Sequence, residues 1–198
     1  MNKIISIVGS LIVIITALLF SVFMLIDFNF QSYFVCMLLA IGYIMMSSGF
    51  FNEINEKSIQ SFIVGMVFAS IYAILVFIVY FAQITSVRLD SLDDKAMAIL
   101  DYSKIGLFFN YDLLGYSMMS LSTFFIGLAI DADKKMDKCL KYMMMLHGLF
   151  FFSCFIMPMT GILNNSMSKN VGVIALEFWC VYFISISILS LIHFIKSN

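Results

Sequence analysis

Two acidic residues, Asp112 and Glu177, lie inside long apolar stretches that contain no other Asp, Glu, Lys or Arg. A charged side chain at the centre of a membrane helix costs roughly 2.5–3.5 kcal/mol on insertion scales, so it normally faces other helices and has a partner or a task. A rise of about 1.5 Å per residue places both carboxyl groups about 9–11 Å below the same membrane boundary. If the two groups face each other, we expect them to share a proton or to hold a cation.

Polar and aromatic residues recur on one face of the stretch that contains Asp112. They follow steps of three and four residues, which one face of a helix brings together, and they are Asp112, Tyr116, Ser120, Thr123 and Gly127. Asn110 lies at the entrance of this face, and Trp179 of the last apolar stretch lies at a comparable depth. A few polar groups among aromatic walls are typical of small-molecule pockets. We therefore predict a ligand- or proton-binding site formed by Asp112, Glu177, Asn110, Tyr116 and Trp179.

A structural role for the same residues is the alternative interpretation. Each carboxyl group would then be hydrated near the membrane interface or would accept hydrogen bonds from Tyr or Ser hydroxyls. Tyr and Trp residues at such depths also anchor ordinary membrane helices in the interface.

Metal, cofactor and enzyme signatures are missing from the sequence. The four cysteines, Cys36, Cys139, Cys154 and Cys180, form no C-x-x-C pair, and no histidine cluster accompanies them. There is no G-x-S-x-G elbow, no phosphate-binding glycine loop and no H-E-x-x-H motif. His147 lies on the order of 12–15 Å along the membrane normal from either carboxylate, which predicts an interior residue rather than a catalytic dyad. We predict no cofactor, no metal site and no catalytic residue.

The composition identifies the class of protein. Of the 198 residues, 63% are hydrophobic and 12% are charged, whereas a soluble domain is about a quarter charged. This apolar excess must face lipid, so the sequence predicts an integral membrane protein. The net charge of -1 provides no basic field for nucleic acid.

Six uncharged or nearly uncharged stretches are long enough to cross a bilayer, which needs about 20 apolar residues. They are Ile4–Ile26, Tyr33–Phe51, Ile59–Ile84, Ile105–Ile130, Tyr142–Leu163 and Val171–Ile195. The connections are short, which predicts one integral membrane domain over residues 1–198. The predicted fold class is all-α, a polytopic transmembrane six-helix bundle. The third stretch carries Gly65, Ala69 and Ala73 at four-residue intervals, which favours close packing against a neighbouring helix.

The basic residues predict the orientation, because cytoplasmic loops are enriched in Lys and Arg. With both termini inside, seven basic residues are cytoplasmic and four are external: Lys3, Lys57, Lys134, Lys135, Lys138, Lys141 and Lys196 against Arg88, Lys95, Lys104 and Lys169. We predict an N-in, C-in topology. Small size and the usage of Ile, Lys and Asn favour a multi-pass protein of a bacterial plasma membrane.

The longest external connection, Thr85–Lys104, has apolar residues at helical spacing. Ser91 precedes Asp94 by three residues, a pattern typical of a helix N-cap. We predict an amphipathic helix on the outer membrane surface between spans three and four, with a solvated connector as the alternative.

The leading hypothesis for function is binding or translocation of a small, cationic or amphiphilic molecule through an outward-facing intramembrane pocket. A second hypothesis is an interaction or immunity-type membrane protein without such a site, with a protein partner at segment 85–104. A third is a membrane enzyme that uses the two carboxylates. The bilayer is the partner in all three.

Overall fold

The computed structural model describes residues 2–89, 92–161 and 169–196, and within these ranges every regular element is a helix. In chain order the α-helices are α1 (Asn2–Leu25), α2 (Asn29–Ser48), α3 (Ile59–Ala82), α4 (Asp94–Leu100), α5 (Leu107–Ala129), α6 (Lys135–His147), α7 (Phe150–Thr160) and α8 (Lys169–Lys196). Short 3-10 helices cover Gly49–Glu53 and Tyr102–Lys104, and a π-helix, Gln83–Val87, continues α3.

Six helical segments are long and apolar enough to cross a membrane. They are Lys3–Leu25, Asn29–Asn52, Ile59–Val87, Leu107–Ala129, Lys135–Thr160 and Gly172–Lys196. The predicted all-helical six-span bundle is therefore confirmed, and the chain is a multi-pass membrane protein. Its outward surface is apolar, with large exposed side chains such as Leu18, Phe81 and Phe178, as expected for helices that contact lipid.

The fifth span differs most from the sequence prediction. Its helix begins at Lys135 rather than Tyr142, because lysine and methionine favour helix and extend it beyond the apolar stretch. The segment is interrupted between His147 and Phe150, where α6 ends and α7 begins. Gly161 ends α7 with a φ of 67°, the left-handed conformation usual after a helix. Residues 162–168, which include most of the predicted connection Asn164–Asn170, lie outside the described ranges.

The bundle is organised around two closely packed helix pairs. Helix α1 packs on α2 and α8, while α3 packs on α5 and α2, and α6 and α7 cover α5. At Gly65 an added Cβ would lie 2.7 Å from Ile126 Cγ1 and 3.1 Å from the Ser122 carbonyl oxygen. Only glycine permits this approach of α3 to α5, which confirms the packing role predicted for the small residues of the third span. Ala69 and Ala73 are buried on the same face.

The connection between α3 and α5 contains the predicted additional helix, α4. Its N-cap is Asp93, whose Oδ1 accepts a 2.7 Å hydrogen bond from the backbone N–H of Ala96. Ser91, the residue predicted to cap this helix, lies outside the described residues, as does Asp90. Ala96, Met97 and Leu100 are partly buried, while Ile99 is exposed.

Candidate functional site

Asp112 lies in the second turn of α5 and is buried, with 2% of its surface exposed. Its Oδ2 accepts a 3.1 Å hydrogen bond from the Tyr102 hydroxyl, whereas its Oδ1 has no hydrogen-bond partner within the described part of the chain. Tyr80 lies near the same carboxyl group. No basic side chain contacts Asp112 in the described ranges. A buried carboxylate oxygen without a donor is costly, so this atom is the first indication of a site.

Tyr102 covers Asp112 from the short 3-10 helix that precedes α5. Its ring lies among three other aromatic rings, with centroid distances of 5.9 Å to Tyr33, 6.2 Å to Tyr80 and 5.0 Å to Phe109. Tyr33 and Tyr80 stack on each other at 5.3 Å. We call Tyr33, Tyr80 and Tyr102 the tyrosine cluster. Burial raises the pKa of the Tyr102 hydroxyl well above its usual value, and the Asp112 carboxylate raises it further, so the hydroxyl stays protonated as a donor.

Gln83 holds the connector that bears Tyr102. This side chain is buried in the first turn of the π-helix, where its Nε2 donates to the Leu100 carbonyl oxygen at 2.7 Å. Its Oε1 accepts from the backbone N–H of Tyr102 at 3.0 Å. One amide thus satisfies backbone groups on both sides of Asp101. The predicted external segment is therefore bound to the end of the bundle through Gln83.

The connector also contains strained backbone at Ile105, immediately after the 3-10 helix that begins with Tyr102. Ile105 has a φ of 51° and a ψ of 37°, a left-handed conformation that is a genuine outlier for a β-branched residue. Gly106 follows, where an added Cβ would lie 2.7 Å from the Ala98 carbonyl oxygen. The approach of α4 to α5 therefore requires glycine at position 106. Tyr102 is held over Asp112 by a connector whose closed form carries a local conformational cost.

Glu177 lies on a different interface. Its Oε2 accepts a short hydrogen bond from the Ser21 hydroxyl of α1, and its Oε1 is buried without a partner among the described residues. No hydrogen bond joins Glu177 to Asp112 within the described ranges.

Tyr116 and Trp179 meet in the interior, edge to face, at a centroid distance of 5.0 Å. Tyr116 lies one turn after Asp112, and its hydroxyl is 3.8 Å from Cys36 Sγ. Trp179 is two positions after Glu177, and side chains two positions apart point to roughly opposite faces of a helix. This is why Glu177 contacts α1 while Trp179 turns toward α5 and α6. Asn110, the fifth predicted site residue, is half-buried in the first turn of α5.

His147 joins three helices through both ring nitrogens. Trp179 Nε1 donates to His147 Nε2 at 3.1 Å, and His147 Nδ1 lies 2.7 Å from Thr123 Oγ1. Because an indole N–H only donates, Nε2 is the acceptor, so the neutral ring carries its proton on Nδ1 and donates to Thr123. The Thr123 hydroxyl in turn donates to the Ser120 carbonyl oxygen at 2.9 Å. His147 is thus fully hydrogen-bonded and buried, and it lies away from both carboxylates.

Two residues of the candidate site, Tyr102 and Gln83, are not among the five site residues predicted from the sequence. The signal for Gln83 was available, since it is an amide at the end of an uncharged span, where a side chain that can both donate and accept suits backbone groups. Tyr102 belongs to a connector, and nothing in its sequence context indicates that it turns inward.

Two further observations bear on the site. A groove of about 340 Å³ lies at the opposite end of the bundle and contains none of the predicted site residues; it is lined by Ile5, Ser48, Phe51, Asn52, Phe62 and Met66. Within the described ranges, no three His, Cys, Asp or Glu side chains converge in a way that could hold a metal ion.

The arrangement offers a group that can bind a ligand or exchange a proton. Among the described residues, one oxygen of the Asp112 carboxylate has no hydrogen-bond partner and the other accepts from the Tyr102 phenol, in aromatic surroundings. Comparisons with family models, curated proteins and solved structures give no match for this chain.

Proposed function

We propose that this membrane protein binds a small cationic or amphiphilic molecule at Asp112, beneath the tyrosine cluster at one end of the bundle. The observation on which the proposal depends is that Oδ1 of the Asp112 carboxyl group, a residue that is 2% exposed, has no hydrogen-bond partner among the described residues. Buried charges are normally paired. A ligand with a positive charge would provide the missing partner.

The surroundings of Asp112 support a cationic ligand over an anionic one. Tyrosine rings attract cations through their negative faces, and Tyr33, Tyr80, Tyr102 and Tyr116 all lie around or next to the carboxyl group. With the predicted N-in orientation, this end of the bundle faces outward in a cell membrane, so the ligand would enter from outside.

Access requires that Tyr102 moves. In the described conformation its ring and hydroxyl occupy the space above Asp112. We propose that the connector Asp101–Gly106 acts as a cover that opens for the ligand. The two hydrogen bonds that Gln83 makes, one as donor and one as acceptor, favour the closed form, and the left-handed Ile105 opposes it.

Glu177 is proposed as a second, separate carboxyl position. Its bond to Ser21 lies between α1 and α8, where loss of that hydrogen bond on ligand binding would alter the contact of these two helices. This proposal differs from the predicted pairing of the two acids, because no hydrogen bond joins Glu177 to Asp112 within the described ranges.

The test is ligand-dependent stability of the full chain in detergent. Thermal unfolding would be measured with organic cations of increasing size, from methylammonium to tetraphenylphosphonium, because a ligand that binds the folded state raises its unfolding temperature. We expect at least one cation to stabilise the protein and Asp112→Asn to abolish that effect. Asp94→Asn removes an exposed acid of α4 at the same end and is the matched control. Equal stabilisation of the wild type and Asp112→Asn, or no stabilisation by any cation, would contradict the proposal.

A further inference from the structure

The Tyr102 side chain shows what shape of ligand fits above Asp112. We infer that the ligand is a primary ammonium ion that carries one flat six-membered ring, with the ammonium group close to the edge of the ring, as the Tyr102 hydroxyl is. This inference rests on the proposed function and assigns the substrate class of the same site. It follows from treating Tyr102 as an intramolecular occupant that the ligand replaces.

The ring portion of this occupant is defined by its aromatic neighbours. Phe109 presents its ring nearly edge to face, at an interplanar angle of 61°, and Tyr33 and Tyr80 lie at tilted angles of 57° and 38°. These three rings come from α2, α3 and α5, so they surround the Tyr102 ring from several directions. A ligand that displaces Tyr102 would contact the same three neighbouring rings, which leave room for one aromatic ring.

The polar end of the occupant is defined by Asp112. The Tyr102 hydroxyl has a single proton, and it donates that proton to Oδ2. Among the described residues, Oδ1 has no donor within hydrogen-bonding distance, although Tyr80 lies near the same carboxyl group. A primary ammonium has three N–H donors, so it can satisfy Oδ1 and Oδ2 together, and it adds a charge-assisted bond that a phenol lacks.

This chemistry also discriminates among cations. A quaternary ammonium has charge and cation–π attraction but no N–H, so it leaves Oδ1 without a hydrogen bond. A neutral alcohol of the same shape has a single donor and no charge, so it gains nothing over Tyr102 itself. The site is therefore expected to select a protonated primary amine on an aromatic ring.

Three probes that share a benzyl group test this inference: benzylammonium, benzyl alcohol and benzyltrimethylammonium. Each is titrated against the full chain in detergent, and affinity is taken from the concentration dependence of the unfolding temperature. We expect benzylammonium to bind at least about tenfold more tightly than either analogue. Asp112→Asn should weaken benzylammonium about 10- to 100-fold and bring it level with benzyl alcohol.

Variants at Tyr102 test whether the ligand replaces this side chain. Tyr102→Ala vacates the ring space and should tighten benzylammonium about tenfold, because no internal competitor remains. Tyr102→Phe keeps the ring and removes the donor to Oδ2, so it should raise the affinity for benzylammonium by a smaller factor. It provides the comparison if the alanine variant does not fold. Ser103→Ala, at the exposed neighbouring position, is the control and should change nothing.

The outcomes separate this inference from the proposed function. Benzyl alcohol or benzyltrimethylammonium binding as well as benzylammonium would overturn the ligand class, as would unchanged affinity in both Tyr102 variants. If other cations stabilise the protein through Asp112 but benzylammonium does not, the inference fails and the proposed function stands. If no cation acts through Asp112, both fail.

Discussion

Removal of the Gln83 amide should open the cover over Asp112 without unfolding the bundle. Gln83→Ala deletes the 2.7 Å bond to the Leu100 carbonyl oxygen and the 3.0 Å bond from the Tyr102 backbone N–H. Each bond stabilises the closed connector by about 0.5–1.5 kcal/mol net. Together they contribute about 1–3 kcal/mol, which corresponds to a roughly 5- to 150-fold increase in the open population, since about 1.4 kcal/mol is a factor of ten.

Hydrogen–deuterium exchange followed by mass spectrometry measures this opening directly. Peptides that cover residues 92–106 should exchange faster in Gln83→Ala by the same factor, because exchange reports the free energy of local opening. Peptides from α5 beyond Tyr116 should be unchanged. Gln60→Ala is the matched control, because Gln60 is an exposed glutamine at the start of the same helix.

Two results would refute the role assigned to Gln83. Exchange in residues 92–106 that is identical in Gln83→Ala and wild type would show that the amide does not hold the connector. Faster exchange spread evenly over all helices would show that Gln83 supports the whole bundle rather than its cover.

Three further predictions concern packing, hydrogen bonding and topology. Gly65→Val should destabilise the protein by about 1–3 kcal/mol in denaturant unfolding, because its side chain would collide with Ile126; unchanged stability would mean that α3 and α5 can separate without cost. Trp179→Phe should lower the free energy of unfolding by about 0.5–2 kcal/mol in the same assay, because it leaves His147 Nε2 without its donor. An unchanged free energy of unfolding would mean that another group replaces the indole as donor. A reporter that is active only in the cytoplasm should be active when it is fused after Lys196. Activity of an externally active reporter alone would contradict the predicted orientation.

The class and span count followed from the sequence because they depend on the scarcity of charge. Bilayer thickness sets a length that the chain meets six times. Asp112 was identified for the same reason, since a carboxylate in an apolar stretch is conspicuous. Its neighbour Tyr116, four residues on, was correctly placed on the buried face by helical periodicity.

The side chains that these residues contact were harder to predict from the sequence. Depth follows from counting residues along a helix, but rotation about the helix axis depends on which helices are neighbours. Glu177 and Asp112 share a predicted depth, yet Glu177 faces Ser21 of α1. Tyr102 and Gln83 act through a connector and a π-helix, whose geometry hydropathy does not encode. Whether the five predicted residues bind a ligand remains a prediction.

The contact of α1 with α8 has a consequence for how the protein is made. Ser21 and Glu177 are separated by 156 residues, so ribosomes working at about 5–20 residues per second leave roughly 8–30 s between their emergence. During that interval the first helix is already in the membrane with α2 beside it, and the bundle stays open on the side that α8 later fills. The packing of α8 on α1 is therefore a long-range step of biogenesis, and a chain that stalls before α8 would present an incomplete helix face to the cell's membrane quality control.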